Sequence, residues 1–199
     1  MPTGVHLRDP RDQLFSAAEH VLLHDGPDAL TSRAVTARAR CAKGVLHRHF
    51  ASFDAFLAEF ALDRIDRLRA GGDALRASAG TGTVAGNLTG ALPGLFGPAA
   101  MRLVVLAAFH HQVRARLRAA GPVGGVPVLA EIAAIVAAYL AAERDLGRLT
   151  ADAGIAALAR TLTGAAHLLF AGSDDPPPTA GAVREVVTIV LAGALPATG

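Results

Sequence analysis

Apolar residues return at three- and four-residue intervals along most of the chain, and no stretch alternates apolar with polar positions between hairpin turns. That pattern predicts an all-α protein. Leu14, Ala17, Ala18, Val21 and Leu22 form the first stripe, opened by Asp9-Pro10 as cap acceptor and first-turn proline and stopped at Gly26-Pro27. Thr31-Ser32 caps a short helix reaching about Ala39. After a tight Arg40-Cys41 turn, a third short helix occupies Lys43 to His49. Ser52 with Asp54 opens a fourth helix with its stripe at Phe53, Phe56, Leu57, Phe60, Ala61, Ile65 and Leu68. Arg64, Asp66 and Arg67 fall largely off that stripe, and Gly71-Gly72 is read as its end.

Beyond it, glycine and proline interrupt the pattern. A helix is expected from Val84 to Leu92, then a broken stretch with Leu95 and Phe96, then one long helix from Pro98 to about Ala119. The segment Gly121 to Pro127 reads as a loop, followed by a helix to about Asp145 and a Gly147-Arg148-Leu149 connection. A helix from about Ala151 to Phe170, a stiff connector at Ser173 to Pro178 and a last helix from Gly181 to Leu195 complete about nine. The final two helices carry so little charge that their apolar circumference needs cover on more than one side. Leu158, Leu162, Leu169, Phe170, Val186, Val187, Val190 and Leu191 are therefore expected in a two-fold homodimer interface.

With 199 residues, 52% hydrophobic and 18% charged, the chain can bury a core, which excludes collagen-like, mucin-like and wholly disordered classes. Cys41 is the single cysteine, so neither an intrachain disulfide nor a thiolate metal cage is available. Met1 to Asp12 lacks the apolar stretch of a secretory signal, and the longest uncharged apolar run, Ile132 to Ala142, falls short of the roughly 20 residues a span requires. A soluble, cytoplasmic protein with no membrane partner is the expectation.

Net charge is only +2, but its distribution is uneven. Between Thr31 and Phe50 stand Arg33, Arg38, Arg40, Lys43 and Arg48, with His47 and His49 beside them and no acid. Two short helices around a tight turn, the second led by small and basic side chains, meet the requirements of a helix-turn-helix that enters a major groove. Lys43, Gly44 and Val45 are the candidates for base-proximal positions, with Arg33 a further one. Thr31, Ser32, Arg40, His47, Arg48 and His49 are better suited to phosphate.

At these residues the chain resembles the tetracycline-repressor (TetR) family of one-component transcriptional regulators. The family's run is approximately T-x-x-x-I-A-x-x-A-G-V-S-K-G-T-L-Y-x-H-F-x-S-K-E-x-L. Here it reads Thr31, Val35, Thr36, Ala39, Arg40, Cys41, Ala42, Lys43, Gly44, Val45, Leu46, His47, Arg48, His49, Phe50, Ser52, Phe53, Asp54 and Phe56. Three departures stand out. Arg40 replaces the turn glycine, which is strained if φ is positive there. His47 takes the place of a phosphate-contacting tyrosine, and Phe53 that of a lysine.

The resemblance implies a DNA-binding domain at 1–53 and a helical effector-binding and dimerisation domain at 54–199. It further implies a palindromic operator, repression relieved by a small molecule, and no cofactor or metal. An apolar wall with a few polar tips is available for that effector in Leu88, Leu92, Phe96, Met101, Val105, Phe109, His110, Gln112, Val136, Tyr139, Leu162 and His167. The competing class is a helical small-molecule-binding or interaction protein whose head has lost DNA binding. An enzyme is the third, and the chain offers it no catalytic constellation. Gly80 to Gly86 lacks the strand of a dinucleotide fingerprint, and His20 and His24, although four apart, lack a third metal ligand. Cys41, beside Arg40 and Lys43, is a candidate low-pKa thiol, with packing the favoured role.

Overall fold

The computed structural model describes residues 9–120, 126–171 and 177–196, and among these the structure is all helical, with ten α-helices. Helix α1 (Pro10–His24) starts where Asp9 accepts from the N–H groups of Arg11 and Asp12. A 3-10 turn (Pro27–Ala29) leads to α2 (Ser32–Arg38), capped by Thr31, and then to α3 (Gly44–His49). Leu14, Ala18, Val21 and Leu22 of α1 are buried with Leu30, Val35, Ala39, Leu46 and Phe50, which makes α1 to α3 one small core.

Helix α4 (Phe53–Ala77), capped by Ser52, joins that core to the rest of the chain. Phe56 and Phe60 pack with Phe15 and Phe50 at ring separations of 5.0–6.4 Å. The expected stop at Gly71-Gly72 is absent: α4 continues for five more residues. Gly72 is needed for proximity, since a Cβ there would stand 2.7 Å from the side chain of Ile135. One turn earlier Arg69 holds the buried Glu131 carboxylate with two bonds, at 2.7 and 3.0 Å. Together these fasten α4 to α8 (Pro127–Asp145).

Between them run α5 (Val84–Leu95), capped by Thr83, α6 (Pro98–Phe109) and α7 (His111–Ala120). The single helix expected from Pro98 to Ala119 is broken at His110, whose backbone is extended (φ −103°, ψ 97°). Arg114 takes up one freed α6 carbonyl, that of Ala108, at 3.2 Å. Helices α9 (Ile155–Phe170) and α10 (Ala180–Leu191) complete the bundle against α8 and α5. Residues 121–125 of the expected loop and 172–176 around the expected connector lie outside the described residues.

A buried polar cluster ties the α4–α5 loop to the end of α8. Glu143, wholly buried, accepts from the Tyr139 hydroxyl at 2.5 Å and from the Gly80 N–H at 3.2 Å, and pairs with Arg148 at 3.2 Å. Arg148 also donates to the carbonyls of Thr81 and Gly82. Burial and the neighbouring carboxylate push the Tyr139 hydroxyl well above its ordinary pKa, so it stays a donor.

Candidate nucleic-acid interface

The turn joining α2 to α3 is a Schellman cap. Cys41 N–H donates to the carbonyl of Thr36 and Arg40 N–H to that of Ala37, both at 3.1 Å. This pairing requires the intervening residue to be left-handed, and Arg40 has φ 52°. A side chain in that region costs roughly 1 kcal/mol relative to glycine. Gln13 of α1 reaches across to donate to the carbonyl of Ala39 at 2.7 Å, so the turn is anchored to the core as well as closed on itself.

That scaffold presents the cations outward. Arg33, Arg38, Arg40, Lys43 and Arg48 are all exposed, and among the described residues none forms an ion pair. Gly44 opens α3 with free space where a Cβ would stand, and exposed His47 follows one turn on. Val45 and His49 are half-buried, Val45 resting on the core. The Thr31 hydroxyl is engaged in accepting from Ala34 N–H at 3.2 Å. Ser32 differs from its expected placement: its hydroxyl oxygen is buried and has no hydrogen-bond partner.

Phe53, a departure from the family pattern, and Cys41 acquire a structural reading. Phe53 stacks on Phe56 at 5.7 Å, so this position extends the aromatic cluster inward where the family pattern has a cation. Cys41 is half-buried against the core, and burial pushes its thiol above the ordinary value, which removes the activated-thiolate reading. His20 and His24 lie with ring centroids 4.2 Å apart. Burial, and then the charge of Arg38, hold His20 below the usual histidine value. Among the described residues no group of three metal-ligating side chains forms.

The residues expected at the effector wall and the dimer face fall in different settings. Leu88, Leu92, Phe96, Val136, Tyr139 and Leu162 are sealed in the core, while Phe109 is 80% exposed and Gln112 points to solvent. Met101, Val105, His110 and His167 are half-buried and border no cleft described in this structure. A mostly apolar cleft of about 330 Å³ lies elsewhere, where α1, α4, α5 and α6 meet. Of the expected dimer residues, Leu162, Val187 and Leu191 are fully covered within the chain and cannot face a second copy. Leu158, Leu169, Phe170, Val186 and Val190 are half-buried, beside Leu168 and Ile189, which belong to the same two apolar helices and are 80% and 68% exposed. No described helix is long and apolar enough to cross a membrane alone.

Residues 14–60 match the family described as bacterial regulatory proteins, tetR family, a span running from α1 into the aromatic turns of α4. No curated protein matches the chain significantly. Solved structures share its fold over nearly its whole length. A transcriptional regulator from Rhodococcus sp. Rha1 is 22% identical, covering 92% of this chain and 97% of its own, with a TM-score of 0.69. A TetR-family member from Streptomyces coelicolor A3 is 22% identical over 94% of this chain and 99% of its own, with a TM-score of 0.68. The regulator FadR from Bacillus subtilis, solved in complex with stearoyl-CoA, is 12% identical over 92% and 98%, with a TM-score of 0.67. The head of the chain thus matches the tetR family in sequence over residues 14–60, and the fold of these solved structures is shared from end to end.

Proposed function

We propose that the protein is a cytoplasmic, homodimeric repressor that binds a palindromic operator and is released from it by a small molecule. The observation that carries this reading is the surface of α2 and α3: five exposed cations, none neutralised by a carboxylate among the described residues, on a turn held rigid by core contacts. Lys43 and Gly44 lead α3 towards bases, with Arg33 a further base-proximal candidate, and Arg40 and Arg48 flank it at phosphate positions.

The second copy joins at α9 and α10, where Leu168 and Ile189 stand exposed among half-buried Leu158, Leu169, Phe170, Val186 and Val190. A two-fold pairing there sets the heads one helical turn of duplex, ~34 Å, apart. The effector occupies the cleft between α4, α5 and α6. It favours the dimer whose heads are wrongly spaced, so operator DNA weakens effector binding by the factor that effector weakens operator binding.

The test is selection of bound duplexes from a random pool with the full chain, followed by a salt titration on the selected fragment. A palindromic consensus, and a decline of log K with log salt steep enough for several phosphate contacts, are expected. Lys43→Ala should weaken binding about tenfold and lower the salt slope by about one, with the dimer intact in sedimentation. Failure to enrich any sequence, with salt-independent retention, overturns this reading in favour of a helical binding protein without DNA competence.

A further inference from the structure

The cleft at the junction of head and body is mostly apolar, walled by Leu68 of α4, Ala91 and Leu95 of α5, and Leu103 of α6. At one side it meets three charged residues: Glu19 from α1, and Arg64 and Arg67 from α4. Arg64 is the unusual one. Its side chain is only 4% exposed, yet its hydrogen-bonding capacity is incompletely used.

Nη1 of Arg64 donates to Asp63 at 2.7 Å. Nη2 stands 3.2 Å from a Glu19 carboxylate oxygen but is not aligned to hydrogen-bond with it, and Nε has no partner. The face of the guanidinium rests on Phe60, 5.1 Å from the ring centroid. A buried cation with idle donors is costly, and an aligned acceptor anion relieves that cost.

The start of α6, which lines the same cleft, also favours negative charge. Helix α6 begins at the cleft with Gly97, Pro98, Ala99 and Ala100, and no side chain caps it. Its first N–H groups therefore lack intrahelical acceptors, at the end of the helix dipole that favours negative charge. Among the lining side chains two are cationic and one anionic.

Two exposed glycines leave space along the cleft. A Cβ on Gly71 or on Gly94 would meet no atom within 4 Å, although both are in helices where a larger residue would be the better helix former. At about 330 Å³ the space lies at the small end of the range of ligand sites.

We propose that this cleft binds a small amphipathic carboxylate, its anionic end taken by Arg64 between Arg67 and the start of α6, its apolar end lying over Gly71 and Gly94 against Leu68, Leu95 and Leu103. This deepens the effector reading above and rests on it for its consequence at the head. Glu19 is the internal anion that the ligand displaces. It belongs to α1, so binding releases one of the two ion pairs that join α1 to α4 among the described residues, the other being Arg11–Glu59. The ligand thereby loosens the head from α4 with no contact to the DNA-facing surface.

The experiment is calorimetric titration of the full-length protein with 4-phenylbutyrate, and with 4-phenylbutan-1-ol and 4-phenylbutylamine as neutral and cationic matches. The acid should bind at least tenfold more tightly than the alcohol, and the amine more weakly than either. Arg64→Met should abolish the preference for acid over alcohol. Gly94→Leu, which places a side chain in the open space beside that glycine, should lose both ligands while keeping the affinity for the selected DNA fragment. If Arg64→Met does not fold, the acid-to-alcohol ratio of the unaltered protein and the Gly94→Leu result decide the matter.

Equal affinities for acid and alcohol, undiminished acid binding by Gly94→Leu, or no acid binding at millimolar concentration each overturn the proposal. Steep salt-dependent binding of the selected fragment without acid binding leaves the regulator reading standing and removes this site. Acid binding without enrichment of any duplex does the reverse.

Discussion

Two helices in this protein end with the same hydrogen-bond pattern and different residues. At the end of α8, Gly147 N–H donates to Arg144 and Arg148 N–H to Glu143, and Gly147 sits at φ 73°. At the end of α2, Arg40 and Cys41 repeat those bonds, and Arg40 sits at φ 52°. In the body the left-handed position is filled by the residue that adopts it without strain, and the arginine that follows folds back onto buried Glu143. In the head the arginine itself occupies the strained position and extends into solvent without an ion pair. The body turn is built for stability, and the head turn gives up stability to place a charge, a pattern expected where a surface has a partner.

The contrast can be broken most severely in the body. Arg148→Ala leaves Glu143 buried without its cation and should cost about 3 kcal/mol in urea unfolding, with operator binding per folded dimer unchanged. Gly147→Arg moves the head's arrangement into the body, where nothing receives the charge. It should lower stability by about 1–2 kcal/mol with no gain in DNA affinity. Arg40→Gly makes the opposite exchange and has the smallest effect. Thermal unfolding should show about 1 kcal/mol of added stability, while affinity for the selected duplex falls several-fold in a titration at physiological salt. If Arg40→Gly raised stability and left affinity unchanged, the strain would have no purpose in the nucleic-acid interface.

Local signals in the sequence were sufficient for the head. Asp9, Thr31 and Ser52 cap the helices they were expected to cap, and the missing turn glycine marked the position where φ is positive. Capping and turn chemistry depend on residues within a few positions of one another, so a single sequence displays them. The body depends on partners far along the chain. Gly72 reads as a breaker until Ile135 is seen against it, and the break at His110 carries neither proline nor glycine to announce it.

The same limit applies to both ligand and dimer surfaces. Helices apolar on most sides do not reveal which side turns inward, so the pattern alone does not separate covered Leu162, Val187 and Leu191 from exposed Leu168 and Ile189. Arg64 fell off the apolar stripe of α4 as a charged residue, yet it is buried through Phe60, Glu19 and Asp63, contacts that no periodicity encodes. The cleft is accordingly lined by residues that sequence reasoning did not assemble.

Helix α4 runs unbroken for 25 residues, from the aromatic cluster of the head to beyond its close contact with Ile135. At 1.5 Å per residue, the stretch from Gly72 back to Phe53 is a lever arm of roughly 28 Å. A tilt of about 5° pivoting on that glycine therefore swings the head end by roughly 2.5 Å, a magnification that the stop first read at Gly71-Gly72 would have cut short.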